Sequence, residues 1–201
     1  MNQTRLVYRH NVEPQRGLAA AGIFLLKLVL AIPHLIVVNA LNSLLFAASY
    51  IGFWIVAFTG SLPGMVTRLV PVTLSWNARA WGWISGLEDA YPAFDTETPY
   101  SVSVESPTNE SPSKGWAVAG LLFVPKILAL LPHLIVMTFL LIGVFFATWF
   151  GYFVVAFTGT YPAGIQDFAA SVLQWTLRIS AWFAGLTDEY PPFTLDAEPT
   201  A

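Results

Sequence analysis

The chain carries no charged residue between Leu28 and Thr67. The apolar run that contains most of this stretch, residues 19–58, would reach about 60 Å as one helix, twice the roughly 30 Å of a bilayer's hydrocarbon core. Of the 201 residues, 56% are hydrophobic and only 10% are charged, against about 25% charged in a soluble domain. Disorder is excluded because it requires low hydrophobicity. The sequence therefore predicts a small all-α integral membrane protein.

Charge and cysteine content exclude several function classes. The net charge of −3 gives no electrostatic basis for binding nucleic acid. The absence of cysteine excludes disulfides and thiolate metal sites. The polar leader, residues 1–17, is basic, but the apolar run after it is too long for a signal peptide. We interpret it as a retained cytoplasmic leader.

The chain is a tandem repeat. Residues 18–94 align with residues 117–193 at an offset of 99, and 28 of the 77 aligned pairs are identical. Chance does not maintain register over such a length. This organisation predicts five regions: a leader (1–17), membrane repeat 1 (18–95), a polar linker (96–115), membrane repeat 2 (116–194) and an acidic tail (195–201).

Two short segments alternate between apolar and polar residues. Arg5–Arg9 precedes the first repeat, and Tyr100–Val104 lies in a similar place before the second. Alternation of this kind is typical of strands. The pattern predicts two short strands that pair at the membrane surface.

Each repeat fits the bilayer in two ways. In the first layout, residues 18–38 and 41–58 both cross the bilayer and 63–86 lies on its surface. In the second, residues 18–31 form an interfacial helix, a helix over 34–58 crosses, and 63–86 crosses back. The sequence leaves both layouts open.

The depth of charged residues favours the second layout. The first would place Lys27 near the bilayer midplane, whereas an interfacial helix lets its ammonium group reach the headgroups. Pro33 suits the first turn of a helix, where a missing N–H costs little. The resulting fold has four crossings, with the two repeats related by a pseudo-twofold axis along the membrane normal. Most Lys and Arg residues then lie on the side of the termini, which is cytoplasmic by the positive-inside rule.

One polar stripe marks the helix predicted over residues 63–86 and its second copy. In copy two the stripe contains Asp167, Ser171, Gln174 and Arg178, and Arg68 stands at the position of Asp167 in copy one. We identify Arg68, Asp167 and Gln174 as candidate intramembrane polar residues. Asp167 either forms an ion or proton site, contacts Arg68 across the repeats, or is an acid solvated by headgroups.

A second set of polar residues gathers at the predicted cytoplasmic end of each repeat. Lysine and arginine there bind anionic headgroups or partners under the functional hypothesis, and merely anchor the helices under the alternative. Neither His34 nor His133 is followed by a second histidine at i+4, so the pattern does not predict a metal site. The candidate headgroup or partner residues are Lys27, His34, Arg79 and Asp89 in repeat 1, and Lys126, His133, Arg178 and Asp188 in repeat 2.

Three motifs carry a family resemblance. They are Ile-Pro-His-Leu-Ile-Val at residues 32–37, Phe-Thr-Gly-Thr-Tyr-Pro at 157–162, and Leu-Thr-Asp-Glu-Tyr-Pro-Pro-Phe at 186–193. With these motifs the chain resembles an uncharacterised bacterial membrane-protein family of the domain-of-unknown-function kind, common in actinobacteria. Both repeats share the resemblance, and copy two matches better. It implies a location in the bacterial inner membrane and implies no activity.

The sequence contains no nucleophile motif, phosphate loop or paired-carboxylate arrangement. We therefore predict a non-catalytic membrane module without a cofactor, a scaffold or accessory subunit. Its partners would be anionic lipid and a larger membrane complex or further copies of itself. The alternatives are a small transporter or channel and a membrane-shaping hairpin protein.

Overall fold

The computed structural model describes residues 3–200, and the chain is mostly helical (65%). Two three-residue strands pair antiparallel with Leu6 opposite Val104, which confirms the predicted strand pair, with the second strand shifted toward the C-terminus. The elements in chain order are β1 (Arg5–Val7), α1 (Arg16–Ile23), α2 (Leu26–Thr59), α3 (Gly64–Ile84), β2 (Ser103–Glu105), α4 (Lys114–Leu122), α5 (Val124–Thr158) and α6 (Ala163–Phe183).

The prediction that a helix begins at Pro33 is wrong. The chain breaks earlier, at Leu25, whose backbone is left-handed (φ 57°), and α2 continues through Pro33. A proline inside a helix lacks the N–H that would bond the carbonyl four residues before it, here that of Val29. The hydroxyl of Tyr91 donates to the next carbonyl, that of Leu30, at 2.9 Å. Tyr190 does the same for Ala129 in repeat 2, so the Tyr-Pro motif supports the turn that the proline opens.

Each long helix ends at a glycine. Gly60 and Gly159 adopt left-handed conformations (φ 73° and 78°), and each N–H donates to the fourth carbonyl before it. Glycine takes this conformation without steric cost. The chain then reverses within a few residues into α3 or α6.

The repeats exchange their short helices. Helix α1 packs against the C-terminal part of α5, and α4 packs against the same part of α2. Gly22 of α1 lies against the ring of Tyr152, and Gly120 of α4 lies against the ring of Phe53. These pairs are related by offsets of 98 for the glycines and 99 for the aromatics. The copies therefore align with one extra residue in repeat 2, between Gly120 and Lys126, not without a gap.

The centre of the fold is the antiparallel pair α3 and α6. The start of α6 lies at the end of α3, where the Tyr161 hydroxyl donates to the Ser85 carbonyl at 2.8 Å. Buried side chains from both helices form the core together with residues of the terminal segments. Three segments cover one side of this pair, and we call them the polar layer: residues 3–15, 88–113 and 187–200.

Helices α2 and α5 are, among residues 3–200, the two long and apolar enough to cross a membrane, with mean hydropathies of 2.0 and 2.5 in their most apolar stretches. Only 22% and 17% of those stretches are buried. Helices α3 and α6, which we predicted to cross back, are not among them, because polar residues interrupt their apolar faces. The structure thus has two apolar outer helices, not four.

Candidate functional site

The polar stripe of α6 holds the leader in place. Asp167 accepts hydrogen bonds from the Tyr8 hydroxyl (2.7 Å) and pairs with His10 Nε2 (2.6 Å). Gln174 Oε1 accepts from the backbone N–H of Leu6 at 2.8 Å. Burial acts to raise the pKa of Asp167, but the hydrogen bonds from His10 and Tyr8 outweigh it and hold that pKa below its ordinary value.

The same stripe holds the C-terminal tail. Arg178 donates to Asp196 at 2.6 Å and to the Thr4 carbonyl at 3.0 Å, so it joins the tail to the leader. Gln174 donates to Asp196 at 2.9 Å. Burial opposes ionisation of Asp196, but the bonds from Arg178 and Gln174 lower its pKa overall. The stripe therefore faces the polar layer. Asp167 is bonded there instead of contacting Arg68, which is exposed on α3.

On α3, Arg79 holds a segment of the polar layer in the way that Arg178 does on α6. Its guanidinium donates to the backbone carbonyls of Asp95 (2.8 Å), Thr96 (3.0 Å) and Thr98 (2.8 Å). A guanidinium is suited to this because it presents five donors in a rigid plane. Arg79 thus fixes the linker onto α3 as Arg178 fixes the termini onto α6.

The aspartates of the terminal motifs anchor the exchanged helices. Asp89 accepts from the backbone N–H of Gln15, just before α1, and Asp188 accepts from that of Ser113, just before α4, each at 2.6 Å. A carboxylate at a helix N-terminus is favoured by the orphan N–H groups there. Both aspartates are therefore accounted for by local structure.

The histidines lie in aromatic boxes. His34 packs among Trp76, Tyr91 and Phe94, and its Nδ1 lies 3.0 Å from the Tyr91 hydroxyl. In repeat 2 the His133 ring stacks on Phe193 with centroids 3.9 Å apart.

The protonation state of His133 follows from its partner. Its Nδ1 accepts from the indole N–H of Trp175 at 3.0 Å, and an indole nitrogen can only donate. His133 is therefore the neutral tautomer with its proton on Nε2. Within residues 3–200, no group of three acidic, histidine or cysteine side chains is placed to hold a metal.

The two lysines are almost fully buried, each 2% exposed, but they differ in their bonding. Lys126 donates to the carbonyls of Trp182 (3.0 Å) and Phe183 (3.2 Å) at the end of α6. Lys27 donates instead to the Tyr152 hydroxyl at 3.3 Å, and that hydroxyl donates to the Ile84 carbonyl, which matches Phe183. The lysine of repeat 1 thus has a weaker set of hydrogen bonds than its counterpart.

The structure does not bring the predicted headgroup residues together into one pocket per repeat. No hydrogen bond or ion pair in the described chain joins two members of either set of four. The arginines and aspartates anchor backbone segments, and the histidines lie in aromatic boxes. Headgroup binding by these sets stays a prediction.

Sequence reasoning missed an apolar cavity of about 450 Å³ beside Lys27. Helices α2, α3, α5 and α6 all line it, with side chains that include Trp81, Phe145, Trp149 and Val172. The corresponding space in the other half contains the ring of Phe123, which stacks on Phe46 and Tyr50. Nothing in the sequence marked this difference, because the offset of 99 pairs Phe123 with the identical Phe24, whereas in the structure Leu25 takes the matching place at the break in repeat 1.

These features define a duplicated, mostly helical protein with two long apolar helices and one polar layer. The family model described as "Domain of unknown function (DUF4389)" matches residues 23–95 and again residues 122–194. The matches cover most of the chain, which therefore belongs to this family as two tandem copies. No curated protein and no solved structure matches the chain.

Proposed function

We propose that the protein is a non-catalytic membrane module that lies within one leaflet, with α2 and α5 parallel to the bilayer plane. Their outer faces provide the apolar surface, where Phe58 is 75% exposed and Phe157 is 80% exposed. Contact with acyl chains removes such surface from water at about 25 cal/mol per Å². At 34 and 35 residues, each helix would be about 50 Å long, well beyond a 30 Å hydrocarbon core.

The path of the linker carries this proposal. The linker leaves α3 near the N-terminal end of α2, where Tyr91 bonds Leu30. It rejoins the fold at Lys114, whose Nζ lies 3.5 Å from the Phe58 carbonyl at the other end of α2. An irregular segment with charged side chains, such as this linker, is not stable among lipid tails. Both ends of α2 therefore belong on the same side of the membrane.

The leader follows the same path along α5. Gln3 donates to the Tyr190 carbonyl at 3.4 Å, and Tyr190 bonds Ala129 near the start of α5. Thirteen residues later, the guanidinium of Arg16 lies beside Gly159 at the end of α5. The leader carries charged side chains over this whole distance. This supports the same in-plane arrangement for the second repeat.

The polar layer then faces water on the side of the termini. We place that side in the cytoplasm and the apolar face in the inner leaflet of a bacterial inner membrane, as the family resemblance and the positive-inside rule imply. The pseudo-twofold axis lies along the membrane normal, as in the second layout above. Helices α2 and α5 lie in the plane of the membrane in this arrangement, whereas the second layout has four crossings.

Cysteine labelling tests this arrangement, since the native chain has no cysteine. Ser61→Cys and Thr160→Cys, in the turns after α2 and α5, should react with a membrane-impermeant maleimide only from the cytoplasmic side, as should Thr108→Cys in the linker. The two-crossing layout instead predicts that the turns react from outside the cell. Reaction of both turn cysteines in intact cells, with the linker cysteine protected, would reject the proposal.

A control within α5 reports on the lipid contact itself. Phe139 is exposed on the outer face of the protein. We expect Phe139→Cys to be unreactive in membranes from either side and to react after the protein is denatured in detergent. Reaction from the aqueous phase in intact membranes would show that this face is not covered by lipid.

Anionic lipid is the ligand class that the ends of the long helices fit. Exposed Lys114 lies beside the backbone carbonyl of Phe58, and exposed Arg16 lies beside Gly159, two residues after Phe157. Each cation is thus near the helix end that carries an exposed phenylalanine, which suits headgroups above acyl chains. Each such cation contributes about 1 kcal/mol of attraction to an anionic surface, a factor of about five.

The lipid preference is measurable by tryptophan quenching with brominated phosphatidylglycerol in phosphatidylcholine bilayers. We expect Arg16→Gln combined with Lys114→Gln to reduce the preference for the anionic lipid about 25-fold, a factor of about five for each cation. Arg5→Gln combined with Arg9→Gln removes the same charge from exposed positions in the polar layer and should change it little. If the two double variants reduced the lipid preference equally, the preference would depend on net charge alone and not on Arg16 and Lys114.

Insertion into one leaflet also supports membrane shaping as a second candidate function, because in-plane helices expand the leaflet that contains them. The transporter alternative has less support, since helices that lie in the plane outline no path across the bilayer.

A further inference from the structure

We propose that the cavity beside Lys27 binds a single-chain carboxylate amphiphile, a long-chain fatty acid, with the carboxylate at the lysine ammonium and the chain along the apolar walls. The inference rests on the proposed embedding, because the cavity is rimmed by side chains that embedding would place in lipid. Its volume of about 450 Å³ lies within the range of small-molecule sites.

The state of Lys27 points to an anion. The side chain lines the cavity, and its ammonium lies between the rings of Trp83 and Tyr152, 4.8 and 5.0 Å from their centroids. Its one protein hydrogen bond goes to the Tyr152 hydroxyl, and no carboxylate in the described chain lies within ion-pair distance of it. The carboxylates of Asp89 and Glu88 act on its charge only from beyond that distance. An ammonium has three donors, and a buried charge without a paired anion is costly. A ligand carboxylate would supply the missing acceptor.

In the other half of the molecule the matching lysine bonds two backbone carbonyls and the matching space is filled. There Phe53 replaces Tyr152, so Lys126 reaches the helix carbonyls itself. Phe123 fills the space that Leu25 leaves open in repeat 1. Two independent differences, one at the lysine and one at the cavity, therefore occur in the same half of the molecule.

The geometry favours a free fatty acid over a two-chain lipid. The walls other than the lysine end are mostly apolar, with Leu28, Phe145, Val172 and Leu173 among them, and Ser85, Thr148 and Thr176 are their hydroxyl side chains. A large phosphate headgroup would have to leave water to reach Lys27, which is 2% exposed. A carboxylate is the smallest anionic head that a membrane amphiphile carries, and a single chain suits the volume.

Binding is tested on the full chain in neutral detergent with cis-parinaric acid, a fluorescent long-chain carboxylate. We expect saturable binding that palmitate displaces and hexadecanol, of equal chain length without charge, displaces at least tenfold less well. Lys27→Met should weaken binding at least tenfold, whereas the matched Lys126→Met should leave it within about twofold. Leu25→Phe should abolish binding by filling the cavity, and it is tolerable because Phe123 already adopts the same φ.

Three results would overturn the inference: no saturable binding to the wild-type chain, equal displacement by palmitate and hexadecanol, or unchanged binding in Leu25→Phe. Should Lys27→Met fail to fold, the alcohol comparison and Leu25→Phe still decide the question. The outcome is separable from that of the proposed function, because cysteine labelling reports the embedding whether or not a fatty acid binds.

Discussion

Replacing Gly22 by valine is expected to lower the free energy of unfolding by about 3 kcal/mol, the upper end of the usual cost of overpacking. A side chain at Gly22 would collide with the ring of Tyr152. The ring has little freedom to move, because the Tyr152 hydroxyl bonds both Lys27 and the Ile84 carbonyl. The clash would therefore separate α1 from α5. Thermal unfolding in detergent micelles, followed by circular dichroism, measures the loss.

Gly17 provides the matched control. It lies in the same helix, and a Cβ there would meet no atom within 4 Å. Gly17→Val makes the same change in helix propensity and should alter stability by less than about 0.5 kcal/mol. In repeat 2, Gly120→Val should resemble Gly22→Val, since its Cβ would lie 2.5 Å from the Phe53 ring. Equal stability of the Gly17 and Gly22 variants would contradict the exchanged packing of the short helices.

Local pattern was enough to predict the elements that depend on near neighbours in the chain. The alternation around Leu6 and Val104 predicted the strands, and the offset of 99 predicted that the same helices recur in both repeats. The helix start predicted at Pro33 is wrong because the structure around this proline depends on Tyr91, 58 residues away. The Tyr91 hydroxyl bonds the Leu30 carbonyl in the turn before the proline, and α2 continues through it. Propensity alone places proline at a helix start, and tertiary contacts overrode it here.

The candidate site shows the same limit more strongly. The polar stripe at Asp167 and Gln174 marked the face of α6 that contacts the polar layer. The residues that the stripe bonds could not be predicted from the sequence, because they lie far away in the chain. Tyr8 is 159 positions from Asp167, and Leu6 is 168 positions from Gln174. The exchange of α1 and α4 was likewise hidden, since the repeat alignment says which residues correspond and not which copy they contact. Burial of Lys27 beside a cavity is a consequence of that exchange.

The polar layer is expected to detach from α6 when Arg178 is replaced by alanine. The substitution removes the donors to Asp196 and to the Thr4 carbonyl, and it leaves both acceptors short of a partner in a mostly buried site. Because the Asp196 side chain is 49% exposed, we expect a loss of about 2 kcal/mol, less than for a fully buried pair. Faster trypsin cleavage after Arg5 and Arg9 should accompany it.

The counterpart on α3 separates detachment of the termini from general destabilisation. Arg79→Ala removes donors to the linker carbonyls at residues 95–98 but leaves the bonds of α6 to the leader intact. Its leader should therefore be cleaved at nearly the wild-type rate, while Arg68→Ala, at an exposed position of α3, should affect neither stability nor cleavage. If Arg178→Ala lost stability without faster cleavage of the leader, the arginine would stabilise α6 itself. The polar layer would then need another anchor to stay above the apolar helices.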